Sequence, residues 1–144
     1  MKGTYLIALL LAAGSVNASV VGEIKILKGT AVVERQGQKL PAAVGMKLMQ
    51  ADTVVTGADG AVGITFADNS LMSSGPNSTL AIDSFRFDST THVGEFNSSV
   101  KRGTVAVVSG KMVKQNPDSM KIRTPSSIMG VRGTEFVIKV DDAR

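Results

Sequence analysis

Near the C-terminal end of the chain, Gly130-Val131-Arg132-Gly133-Thr134-Glu135 places one arginine between two glycines, with a hydroxyl and a carboxylate close behind. Arginine carries five N–H donors in a fixed fork, and flanking glycines let the main chain approach the guanidinium closely. Three roles fit that grouping. The fork can clasp several backbone carbonyls and tie down a loop, which is the leading reading. It can grip a carboxylate or sugar acid at two points, with Glu135 as a nearby acceptor. It can also face a partner protein. Gly130, Arg132, Gly133, Thr134 and Glu135 are thus the first candidate residues. Asp68 and Asn69 are the second, since a saccharide site would join Arg132 and Glu135 to such polar residues on one concave surface.

Other chemistries find little support. The chain has no cysteine and a single histidine, His92, so neither a thiol site nor a cluster of imidazoles can be built. Asp52, Asp59 and Asp68 stand in or beside turns, where aspartate usually caps backbone amides, and no spaced Asp-x-Asp-x-Asp-Gly calcium loop occurs. Gly130-Val131-Arg132-Gly133 fits a Gly-x-x-Gly RNA-binding loop but lacks its helices. A carboxylate pair such as Glu95 with Asp83 is not specified by any motif. The expectation is a protein without catalytic, cofactor or metal site, and so not an enzyme.

The elements that must position these residues belong to 144 residues, the length of one domain. Residues 1–18 read as a secretory signal peptide: one lysine, an apolar run over 5–13, then small residues up to Ala18. Residues 19–144 are the expected mature domain, periplasmic or extracellular, with no membrane span. Without Lys2, 15 basic face 12 acidic side chains, a net charge of +3 too small to suggest nucleic acid as a partner. With no disulfide available, stability must come from packing.

Beyond Ser19, β-branched residues run in short alternating stretches cut by Gly, Pro, Asn and Asp, the pattern of half-buried strands. Strands are expected over 23–27, 30–35, 52–56, 61–67, 79–87, 93–100, 104–108, 120–123 and 135–140. A turn is expected over 36–39, a hairpin around Asp59-Gly60, a β-bulge at Asp83-Ser84 and one short helix over 41–48. Glycine recurs just before strands at Gly29, Gly60 and Gly103, without a strict repeat. The fold class is therefore all-β: a compact sandwich, roll or short solenoid of about ten short strands, with at most one short helix.

Taken in order, Gly29 with Arg35, Gly45 with Leu48, Asp52-Thr53-Val54-Val55-Thr56-Gly57, Phe66-x-Asp68-x-Ser70, Gly103 with Ser109-Gly110, Thr124-Pro125 and Gly130-Val131-Arg132-Gly133-Thr134-Glu135-Phe136 make the chain resemble the FecR domain family. That resemblance implies a compact β domain outside the cytoplasm, without catalysis, which senses or scaffolds through contacts with a cell-envelope protein such as a receptor or regulator. The alternative is a module that binds carbohydrate or peptidoglycan of the cell envelope. Family members that control sigma factors resemble a three-part chain, with a cytoplasmic segment and a membrane helix ahead of this domain. Here a signal-peptide-like segment stands in that place.

Overall fold

The computed structural model describes residues 20–131 and 135–141, so the expected signal peptide and Arg132, Gly133 and Thr134 lie outside the described residues. In chain order the elements are β1 (Val20–Lys28), β2 (Ala31–Arg35), β3 (Gln38–Pro41), β4 (Lys47–Met49), β5 (Thr53–Thr56), β6 (Ala61–Phe66) and β7 (Leu71–Ser74). They continue with β8 (Thr79–Phe87), β9 (Gly94–Val108), α1 (Lys111–Gln115), β10 (Met120–Arg123), β11 (Ile128–Gly130) and β12 (Glu135–Val140). The all-β expectation holds, with one five-residue helix among the described residues.

The strands form one curled sheet in the order β3-β2-β5-β8-β9-β7-β6-β1-β4, with β10 and β12 also on β9 and β11 on β10. Its two halves meet in the 15-residue β9, which the sequence suggested as two strands. The first part of β9 lies between β8 and β10, and the part from Gly103 onward lies between β7 and β12. Gly103 makes this possible. At φ +92 it bends the strand where an L side chain would be strained, and a Cβ there would overlap Ser78.

Apolar positions on the inward faces of both halves form one core. Leu80, Ile82, Phe85, Phe96 and Val100 come from one half, and Ile24, Ile64, Phe66, Met72, Val105 and Val107 from the other. Each such fully buried side chain contributes about 1.5–3 kcal/mol from the removal of apolar surface from water. Three phenylalanines join the halves: Phe66 lies 4.7 Å from Phe96 and 5.8 Å from Phe85, ring centre to ring centre, and Phe85 meets Phe96 edge-on at 4.9 Å.

Local turn chemistry is as expected at two places. Gln36 and Gly37, at φ 53 and 80, form a two-residue hairpin loop between Arg35 and its partner Gln38. A bulge interrupts the β8–β9 register between Ile82 and Ser84.

Two expectations fail. No helix spans 41–48: Pro41 ends β3 opposite Val32, Gly45 sits at φ +92 and gives its N–H to Ile24 O, and the chain then enters β4. A left-handed residue in mid-segment breaks a helical ladder, and the bonds to β1 replace it. The second is the hairpin at Asp59-Gly60. The turn exists, closed by Gly60 N–H to Gly57 O, but β5 pairs with β2 and β8 while β6 pairs with β1 and β7. Gly60 is there for space, since a Cβ would strike Thr30 O, and not for a positive φ.

That turn and three other crossings between the halves, at 28–31, at 74–79 and at Gly103, stack along one corner of the molecule. Gly57 N–H donates to Thr30 O at 2.9 Å, Asn77 N–H to Gly57 O at 3.0 Å and Gly75 N–H to Thr104 O at 2.9 Å. Thr56 and Ser78 close the remaining gaps: Thr56 Oγ1 donates to Gly75 O and accepts from Ser78 N–H, and Ser78 Oγ accepts from Thr104 N–H. The recurrence of Gly29, Gly60 and Gly103 in the sequence marks this corner.

Candidate functional site

The C-terminal candidates are pinned on both sides of the undescribed residues. Gly130 ends β11 opposite Lys121, in open space, and Val131 turns inward, 2% exposed, with its N–H on Met120 O at 3.0 Å. Glu135 opens β12 opposite Val108 and is exposed, while Ile138 of the same strand is buried. Arg132, Gly133 and Thr134 bridge these ends, and the choice between clasp, grip and partner contact falls on residues outside those described.

Asp68 and Asn69 divide. Asp68 is buried and its carboxylate is engaged locally: Oδ1 accepts from the N–H and hydroxyl of Ser70, and Oδ2 from Met112 N–H at the start of α1. Its carbonyl takes Lys111 N–H, so the β6–β7 turn holds the helix in place. Asn69, at φ 71, is exposed. Since Leu71 and Glu135 both pair with Val108, on opposite sides of β9, the Asp68-Asn69 turn and Glu135 share one end of this half, roughly two strand spacings or ~10 Å apart in backbone.

The arginine clasp visible among the described residues is made by a different arginine. Arg35 Nε and Nη2 hold Asp52 Oδ1 and Oδ2 at 2.9 and 2.8 Å, and Nη2 also reaches Lys47 O at 3.0 Å. Asp52 Oδ2 accepts Met49 N–H as well, at 2.8 Å, so the expected local cap is one part of a larger knot. It joins the end of β2 to the β4–β5 turn. The bond to Asp52 drives the Arg35 pKa above its ordinary value. In the sequence the two residues stand 17 apart, and only strand pairing brings them together.

A trough on the outer face of the β8–β11 half has a volume of about 570 Å³. Its residues follow from register. Asn97, Ser99 and Lys101 alternate outward along β9, Lys121 and Arg123 pair beside Asn97 and Ser99 in the parallel β10, and Ser84 pairs with Asn97 from β8. Asn97 donates to Ser84 Oγ and Glu95, and Ser99 donates to Asp83. Glu95 is held below its usual pKa, first by Asn97, then by Arg86 and the charge of Lys121. A second cleft, of about 460 Å³, opens between the β10–β11 turn and β12 and shares Lys101 with the trough; Pro125, Met129, Val137 and Val140 line it. Sequence reading singled out neither, because their residues come from strands far apart in the chain. His92, a candidate for nothing, stacks on Phe87.

The class defined by these features is a curled all-β domain with two clefts of mixed lining on its surface. No helix among the described residues is long and apolar enough to cross a membrane. The chain belongs to the FecR family: the family model described as FecR protein matches residues 52–144. This family is associated with the cell envelope. No curated protein and no solved structure matches the chain. The matched stretch begins at the mouth of β5, yet β2 pairs with β5 and β1 with β6, and Ile24, Val33 and Leu48 enter the same core. The folded unit therefore includes β1–β4.

Proposed function

We propose that this is an exported, non-catalytic domain which takes part in sensing or scaffolding in the cell envelope by contact with another envelope protein, a receptor or regulator. Membership of the FecR family supports the setting. The observation that carries the contact is β12. It pairs with β9 alone among the described residues, so its other edge presents unpaired main-chain groups. Val137 is 67% exposed in the middle of that strand and lines the cleft beside Met129 and Pro125. An extended segment of a partner that adds to this edge would gain main-chain hydrogen bonds and an apolar anchor together.

A photo-crosslinking residue at Lys139, introduced into the protein in its native cells, tests this. A discrete adduct with one envelope protein, lost when Val137→Lys is added, is expected. Cytoplasmic fractionation of the protein, or no adduct from Lys139, would refute the reading.

A further inference from the structure

The trough over β8–β11 offers chemistry that the protein-contact reading does not use. Along the strand direction its cations form a ladder: Lys121 stands level with Asn97, Arg123 with Ser99, and Lys101 two residues further on. At ~3.3 Å per residue this spaces their backbone positions at steps of ~6.6 Å over ~13 Å along the strands. Neither Lys101 nor Arg123 makes an ion pair or side-chain hydrogen bond with another described residue. Among the described residues the Lys121 ammonium donates to the Asp118 carbonyl, and its charge acts at longer range on Glu95. The one carboxylate lining the trough among the described residues, Asp83, takes the Ser99 hydroxyl.

The walls and floor decide the kind of anion. β9 is paired on both sides at this level, with β8 and β10, so the floor has no free main-chain edge for an extended peptide. Among the described residues, Ile128 is the one large apolar side chain lining it, and no aromatic ring lines it for stacking bases. What remains is a row of hydroxyl and amide groups, Ser84, Asn97 and Ser99, beside a ladder of cations, and Arg123 can grip a carboxylate at two points.

We propose that this trough binds a carboxylated glycan strand, with Lys101, Lys121 and Arg123 on its acid groups and Ser84 and Asn97 on its sugar hydroxyls. The trough adjoins the cleft at the β12 edge through Lys101, but Ser84, Asn97, Lys121 and Arg123 line the trough and not that cleft, so either reading can fail without the other.

The test is binding of the purified processed protein to polygalacturonate, measured calorimetrically at moderate salt beside neutral dextran and poly-L-glutamate. Polygalacturonate is expected to bind at least roughly tenfold more tightly than either. Arg123→Ala and Lys101→Ala should each weaken it by about tenfold, the scale of one charge-assisted contact. Asn97→Ala, which leaves net charge unchanged, should weaken it severalfold. Unchanged thermal melts, including that of the variant at the half-buried Asn97, show that these substitutions keep the fold. Equal binding of poly-L-glutamate would overturn the proposal, as would no binding of polygalacturonate. So would an equal loss on Lys25→Ala or Lys28→Ala, which lie on β1 away from the trough.

Discussion

The sharpest energetic test is removal of Arg35 from its knot with Asp52. In Arg35→Ala, Asp52 Oδ1 loses its one partner among the described residues and Oδ2 keeps Met49 N–H, at a carboxylate 1% exposed. Breaking a fully buried ion pair from one side costs about 3–5 kcal/mol, because the remaining charge stays desolvated. The Arg35 side chain is 29% exposed, so water entering its place lowers that cost, and about 2–4 kcal/mol is expected. For a domain of this size the change amounts to a fall in Tm of about 8–16 °C. Urea unfolding of the wild type, Arg35→Ala, Asp52→Ala and the double variant, with unchanged slope m, isolates the pair. The double variant should lose clearly less than the two singles together, since it strands no charge. A loss below about 0.5 kcal/mol for Arg35→Ala, or strict additivity in the cycle, would show that the knot is only a surface ion pair and refute the reasoning.

Gly103→Ala should destabilise by more than about 2 kcal/mol, since it combines a positive φ with overlap on Ser78, whereas Gly37→Ala, at φ +80 in open space, should cost about 1 kcal/mol; equal urea midpoints would show that the stacked corner is not tightly packed. Acid is expected to weaken the fold through exposed carboxylates. Glu23 is held low chiefly by Lys47, Asp88 by the N–H groups of Thr90 and Thr91, and Glu95 by Asn97 and Arg86. Their contribution is present above the unfolded carboxylate pKa of about 4 and is lost as pH falls through the depressed folded values. The raised Arg35 pKa contributes throughout neutral pH, so the urea midpoint should stay nearly level from about pH 7 to 5 and drop below about pH 4. A drop centred near pH 6 would contradict this assignment.

Much of the local structure was legible because it depends on local rules. Alternation of apolar and polar residues located most of the strands, Gln36-Gly37 announced a tight turn, and the slip at Asp83-Ser84 announced the bulge. Residues 41–48 misled because an apolar stretch with one glycine reads as a weak helix, and its bonds to β1 are invisible in the sequence. The Asp59-Gly60 turn misled differently. The turn itself was right, but a reversal of the chain does not say whether the strands it joins become partners. Of the candidate residues, Glu135 opens β12, the strand expected over 135–140, while Gly130 ends β11, a strand the sequence did not announce, and the buried carboxylate of Asp68 holds the start of α1.

The sequence by itself determined that this chain makes strands, where most of them turn, and to which family it belongs, since propensity, alternation and special φ angles act over a few neighbouring residues. Only the tertiary structure decided that β5 and β6 fall in different halves, that β9 runs unbroken through both, that Arg35 finds Asp52, and that cations from β9 and β10 share one trough. The physical reason is that main-chain hydrogen bonds are nearly alike for any pair of strands. Pairing is chosen by which arrangement buries Phe66, Phe85 and Phe96 against one another, and that choice involves residues from three separate strands at once.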